Sequence, residues 1–369
     1  MKHKNPKKDK YRDIRPLNES EIQLAMNYLS EPFTFRYFFL KRIFKKIFGE
    51  EYKDFLQEVK LAKTHDDIDK IVHSGIEKII TDSSFNIEGT NNLNPEKNYI
   101  YLSNHRLIIK DPFYLNHALI RSGMPTAMIG IGDNLTSISA IEYAVKAYRC
   151  FLVKRGKDVT KSDIKNQFNF LYDALNQGNS LWLAQRKGRA KDGNDFTDPS
   201  VLKMLYAPFK MHGMSLTSFL TENPIVPVSI SYEHDPCIIN KAQSLYNDKH
   251  NNGHKKSKWE DIKTMLHELY NSNHGVNIHF GDPIVEATDV ASLKKRIDDA
   301  IQGNYHIWPM NQDCYEYQQA KQSSVSIPLL SAVLNSVPNH LRANVIQIYA
   351  NPVRNRIMTQ KEEYDMIKK

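Results

Sequence analysis

Residues 98–114 read NYIYLSNHRLIIKDPFY. Tyr99, Ile100, Tyr101 and Leu102 form a short β-prone run. It ends at Ser103-Asn104-His105-Arg106, and a helix can begin around Asp111-Pro112, because proline is accepted in a first helical turn. A strand running into a helix here places an imidazole at the strand's C-terminal end. A carboxylate follows six residues later. In open α/β sheets, ligands bind in the crevice beyond such strand ends. Asp111 has two readings at this stage: the N-cap of the helix, or the partner of His105.

The same alternation extends in both directions from this stretch. Strands are expected at 85–88, 99–102, 127–131, 150–153, 181–184, 226–231 and 276–280. Helices are expected at 112–122, 138–147, 161–177, 200–211, 216–220 and 258–271. Strands alternating with helices predict an α/β fold with a mostly parallel sheet flanked by helices. Residues 250–258 read as an exposed polar loop. The expected organisation is a basic tail and α-helical region over 1–84, an α/β domain over 85–310, and a helical C-terminal segment over 311–369. That last segment should hold helices at 326–333, at 340–349 (stopped before Pro352) and at 360–369. A further helix is expected at 293–301.

In the N-terminal region, residues 1–16 read as a solvated basic tail. A helix should follow at 20–28 with Ser20 as its N-cap, and others at 51–62 and 66–80. Between them, Phe33, Phe35, Phe38, Phe39, Ile43, Phe44 and Phe48 interleave with Arg36, Lys41, Arg42, Lys45 and Lys46. Much of this segment separates at helical spacing into an aromatic and a basic side. Two readings fit equally: a helix lying in lipid headgroups, or a helix packed on the protein's own core with a solvated back.

A net charge of +8 favours an anionic partner. No recognised nucleic-acid-binding motif is present, so nucleic acid is not an expected partner. No apolar run is long enough for a transmembrane helix, and the basic N-terminus lacks the apolar region of a secretory signal. The three cysteines are widely spaced, which suits a reducing compartment. The expected location is cytoplasmic, peripheral on the inner face of the membrane.

Three further stretches bear on chemistry. Residues 148–156, YRCFLVKRG, end a strand in Lys154-Arg155-Gly156. Residues 180–193, SLWLAQRKGRAKDG, end another in a glycine-containing basic loop with Arg186, Lys187, Arg189 and Lys191. Arginine suits bidentate recognition of phosphate oxygens, and Gly188 lets backbone approach a ligand. Residues 223–231, NPIVPVSIS, read as a buried strand. One strand end with a base and two with cations would bring an alcohol on a phosphorylated molecule to a proton acceptor. No GxSxG elbow, Walker loop or HExxH occurs, so hydrolase, kinase and zinc-protease readings lack their signatures.

Taken in order, SNHRLIIKDPF, CFLVKRGK, WLAQRKGRAKDG and NPIVPVSISY resemble the motif blocks of the phospholipid/glycerol acyltransferases, which include lysophosphatidic acid acyltransferases. The usual first block is His-x4-Asp, and this chain has His-x5-Asp. In the third block Gly188 matches the family glycine, and Lys187 stands where glutamate is usual. Ala190 stands where arginine is usual, with Arg189 the nearest substitute and Arg186 the next. The resemblance implies transfer of a fatty acyl group to a glycerolipid hydroxyl. The acceptor would be 1-acylglycerol-3-phosphate, with glycerol-3-phosphate or another lipid as the alternative. His105 would be the base, oriented by Asp111, and Arg155, Arg186, Gly188 and Arg189 would bind the acceptor phosphate. It implies no cofactor and no metal, an acyl-CoA or acyl-carrier-protein thioester as donor, and an anionic membrane surface as partner. A non-catalytic lipid- or anion-binding protein on the same scaffold is the competing expectation.

Overall fold

The computed structural model describes residues 9–80, 84–136, 138–156, 158–250, 260–271, 274–320 and 333–367, with side chains described as far as Lys361. In chain order the helices of the N-terminal region are α1 (Glu19–Ser30), α2 (Phe35–Phe48), α3 (Tyr52–Leu61) and α4 (His65–Ile80). Then come β1 (Ser84–Glu88), β2 (Ile100–Ser103), α5 (Lys110–Arg121), β3 (Met128–Gly132), α6 (Ser139–Ala147), β4 (Cys150–Val153), α7 (Lys161–Asn176) and β5 (Leu181–Ala184). They are followed by α8 (Pro199–Met211), α9 (Leu216–Glu222), β6 (Ile225–Tyr232), α10 (Ile238–His250), α11 (Glu260–Tyr270) and β7 (Gly275–Phe280). The chain closes with α12 (Val290–Gly303), α13 (Pro309–Gln319) and α14 (Arg342–Ile367).

The fold is a mostly parallel seven-stranded sheet flanked by helices. Each strand lies within one residue of its expected bounds at both ends. The chain divides into two compact units: Ile79–Thr126, Trp182–Lys203 and Ser215–Lys369 form the larger, and Met1–Lys78, Ala127–Leu181 and Met204–Met214 the smaller.

In the larger unit the strands run in the order β1-β7-β6-β2-β5. β1 pairs parallel with β7, and β2 parallel with β6, whereas β6 and β7 are antiparallel. All eight residues of β6 are buried, as expected of a strand covered on both faces. A separate apolar cluster joins α10, α13 and α14 through Ile238, Ala242, Met310, Cys314, Val345 and Tyr349.

Two sequence expectations change here. α10 was not expected, because IINKAQSLYNDKH is polar and carries no caps that stand out; it folds by burying Ile238 and Ala242 in that cluster. α14 continues through Pro352 instead of stopping before it. Proline removes the N–H that would bond the carbonyl of Ile348. Gly193 lies against that carbonyl: a Cβ built on Gly193, whose φ is +83°, would sit 2.4 Å from the Ile348 oxygen. The Asn351 amide donates to the Asp192 carbonyl at 2.7 Å, beside it. The freed carbonyl thus has backbone packed on it, and the helix passes the proline. Residues 251–259, and most of the helix expected at 326–333, lie outside the described residues.

The smaller unit contains α1–α4, the parallel pair β3–β4, α6 and α7. From Asp9 onward the segment read as a solvated tail is folded. Ile14 and Leu17 are buried, and Leu152 of β4 donates its amide to the Ile14 carbonyl at 2.8 Å. The N-cap of α1 is Asn18, not Ser20: its side chain accepts the Glu21 amide, and Glu21 returns the bond in a capping box. Ser20 sits in the first turn and donates to Asn18.

α2 combines both readings of its segment. Phe48 is buried and stacks on Phe55, with ring centroids 3.5 Å apart. Phe33, Phe35 and Phe38 are 92%, 84% and 53% exposed. The expected opposition of an aromatic and a basic side does not hold among the exposed residues. Phe35, Phe38, Arg42 and Lys45 are all exposed and share one helical face, apolar in its first half and cationic in its second. Among the described residues no helix is long and apolar enough to cross a membrane.

Candidate active site

β2 stops pairing with β6 at Ser103. The next residue, Asn104, replaces the ladder with its side chain. Its amide nitrogen donates to the Ile230 carbonyl at 2.8 Å, and its oxygen accepts the Ile230 N–H at 2.7 Å. The chain is thereby anchored to β6 and free to turn at His105.

His105 is held at three points. Nδ1 lies 2.9 Å from Oδ2 of Asp111. Its backbone N–H donates to Asp195, and its carbonyl accepts the Ala190 N–H at 2.9 Å. The imidazole is 16% exposed while Asp111 is fully buried. With Nδ1 taken by the carboxylate, Nε2 is the nitrogen that can face a substrate.

Asp111 does not cap α5. The helix starts one residue earlier, at Lys110, and its N-cap position, Ile109, makes no side-chain capping bond. Instead the carboxylate turns back over the loop. Oδ2 accepts from His105 Nδ1 and from the amides of Arg106 (2.7 Å) and Leu107 (3.0 Å). Oδ1 accepts the Tyr232 hydroxyl at 2.7 Å. The next two amides, of Ile108 and Ile109, go to Glu268 on α11 at 2.8 and 2.9 Å. Burial, and then the facing Asp111 charge, hold the Tyr232 phenol protonated well above its usual range.

The basic loop after β5 is pinned at its neck. Gln185 donates its backbone N–H to the Ser103 carbonyl at 2.8 Å and its side-chain amide to the Asp195 carbonyl at 2.8 Å. Between these pins stand Arg186, Lys187, Gly188 and Arg189. Gly188 is exposed with φ +79°, a left-handed turn that suits glycine. Arg186 donates to the Asn194 carbonyl at 3.0 Å, and a guanidinium nitrogen of Arg189 lies 3.6 Å from Glu268. Burial pushes the Glu268 carboxyl up, against the opposing pull of Arg189 and the two amides. Asp195 is likewise pushed up by burial, to about 6, although the His105 N–H favours its charged form. Deeper in, Arg106 and Lys241 flank Asp235; their charges outweigh burial and hold its carboxyl below the usual range.

The structure thus brings together five of the sequence-predicted site residues: His105 and Asp111 directly, and the loop of Arg186, Gly188 and Arg189 through the Ala190–His105 bond. Arg155 belongs to the smaller unit, where it follows β4 and packs against Gly132. Burial pulls its guanidinium below the usual range, with Asp133 opposing.

Residues 84–231 match the family model described as Acyltransferase, from the start of β1 almost to the end of β6. This segment belongs to the acyltransferase family. The crystal structure of the 1-acyl-sn-glycerophosphate (LPA) acyltransferase PlsC from Thermotoga maritima is similar to this chain over 77% of it and 92% of its own length, with 13% identity and a TM-score of 0.39. No curated protein matched the chain.

The acyltransferase segment holds the His105–Asp111 pair, the basic loop and Asp195. Tyr232 stands one residue past the match, and Glu268 well beyond it. Sequence reasoning missed Tyr232, Asp195 and Glu268 as parts of the site. Tyr232 had a faint signal, a polar-tipped aromatic closing an apolar strand. Glu268 had none, since it lies within an ordinary amphipathic helix.

Proposed function

We propose that this acyltransferase moves a fatty acyl group from a thioester to the hydroxyl of a phosphorylated glycerolipid, 1-acylglycerol-3-phosphate being the acceptor, in phospholipid biosynthesis. The observation that carries the reading is the bond from Ala190 to His105, which joins a proton acceptor to an arginine-bearing loop.

His105 Nε2 takes the proton of the acceptor hydroxyl, whose oxygen attacks the thioester carbonyl carbon. The tetrahedral intermediate collapses with loss of the thiolate. The imidazolium returns its proton to that sulfur, leaving an ester and a free thiol. Asp111 fixes the ring and stabilises its charged form between these steps. Arg186 and Arg189 hold the acceptor phosphate. The donor is acyl-CoA or acyl-carrier protein, and the chemistry requires neither metal nor acyl-enzyme. Exposed Phe33, Phe35 and Phe38 give the protein an apolar tip with which to meet an anionic bilayer that holds acceptor and product.

The test incubates purified protein with an acyl thioester and lysophosphatidic acid. Thiol release is followed together with mass spectrometry of the lipid. Acceptor-dependent thiol release with formation of phosphatidic acid supports the reading. Release without acceptor, or none with a panel of lysolipids and glycerol-3-phosphate, rejects it.

A further inference from the structure

We infer that Glu268 is a positioning residue that ties the turn carrying His105 to Arg189, the cation of the acceptor site; this rests on the function proposed above.

Four consecutive amides line the turn after His105, and two buried carboxylates accept them: Asp111 takes those of Arg106 and Leu107, Glu268 those of Ile108 and Ile109. Oδ2 of Asp111 already accepts three N–H groups, and its other oxygen faces Tyr232. The turn is one residue longer than His-x4-Asp, and the amides of Ile108 and Ile109 lie beyond the pair that Asp111 accepts. Buried amides must find acceptors, and Glu268 supplies one oxygen to each.

The same carboxylate approaches Arg189 to 3.6 Å. The third sequence block has Lys187 where a glutamate is usual, so α11, not the basic loop, provides the anion beside the arginine. α11 is fixed to the turn a second time, by Lys110 Nζ donating to the Asn271 carbonyl at 2.7 Å just past its end. Glu268 therefore does two things. It keeps the His105–Asp111 turn closed, and it holds Arg189 while competing with an incoming phosphate for its charge.

These roles separate on substitution. Glu268→Gln keeps the shape but loses the charge and one acceptor. It should lower kcat at least tenfold as the turn loosens, and lower KM for the phosphorylated acceptor at least twofold, because Arg189 loses its competitor. KM for the thioester should not move. Glu268→Asp retains the charge on a shorter stem. It should lower kcat without lowering the acceptor KM. A residue needed only for folding would not give this split.

Hydrogen exchange of the full-length protein, read at Ile108 and Ile109 without any turnover, tests the turn separately. Selective loss of protection at these two amides in Glu268→Gln is expected, and wild-type protection there overturns the inference. A raised acceptor KM in Glu268→Gln overturns the link to Arg189. Absence of transfer by the wild type would reject the proposed function and leave the exchange result to judge the turn.

Discussion

Tyr232 donates its hydroxyl to Oδ1 of Asp111 at 2.7 Å, on the carboxylate oxygen that His105 does not use. The phenol and the imidazole therefore hold the carboxylate from two sides. Tyr232→Phe leaves a buried carboxylate oxygen without its donor, at a cost of about 1–3 kcal/mol. The variant should unfold at lower urea and lose roughly tenfold in kcat, with KM for either substrate unchanged. Wild-type kcat would show that the phenol does not matter to the base.

His105→Ala should abolish acyl transfer and leave the circular dichroism spectrum intact. Asp111→Asn should lower kcat by about a thousandfold or more, because an amide presents the wrong partner to Nδ1. It should also destabilise the turn, since an amide nitrogen cannot accept. Retained turnover by the purified histidine variant would sink the mechanism.

Arg189→Lys keeps the charge and loses the planar fork. The expected result is a several-fold higher KM for the phosphorylated acceptor with little change in melting temperature. An unchanged KM would remove Arg189 from the phosphate site.

Asp195 gives a pH dependence with a definite sign. Its carboxyl titrates near 6 in the fold, against 3.8 ordinarily. Between those values the folded state binds more protons than the unfolded state, so stability falls as pH rises through the window, and the full cost stands above it. The ionised group costs up to about 3 kcal/mol at neutral pH. Asp195→Asn, which retains an acceptor for the His105 N–H, should be more stable than wild type at pH 7.5 and lose that advantage toward pH 4.5. Urea melts at the two values provide the check; parallel stability curves would contradict the burial argument.

Phe35 and Phe38 project from the first half of α2 and cations from its second. Phe35→Ser with Phe38→Ser should reduce sedimentation with anionic vesicles severalfold while thioester turnover on a soluble acceptor persists. Equal vesicle binding would locate the membrane contact elsewhere.

The fold was legible because most strands are short apolar runs set off by turn-forming or charged residues, signals that act within a few residues. The His105–Asp111 pair was legible for the same reason. What Asp111 does was half legible: Asp before Pro reads as a helix cap, yet the helix begins at Lys110 and the carboxylate folds back over the loop. Glu268 and Asp195 reach His105's turn across 160 and 90 residues of chain. Nothing local marks a carboxylate whose partners are backbone amides that far away. Pro352 misled for the opposite reason. At Pro352 the abandoned Ile348 carbonyl has Gly193 packed against it, and the helix continues.

That carbonyl, of Ile348, has consequences for where the protein can be cut. Gly193 rests on it and Asn351 bonds to Asp192, so the far end of the basic loop is seated on the C-terminal helix. The family match ends at residue 231, more than a hundred residues earlier. A fragment trimmed to the matched segment would keep His105, Asp111 and the basic loop and lack the helix on which that loop's far end is seated. A piece of this chain that keeps these contacts to the basic loop has to include Ile348 and Asn351.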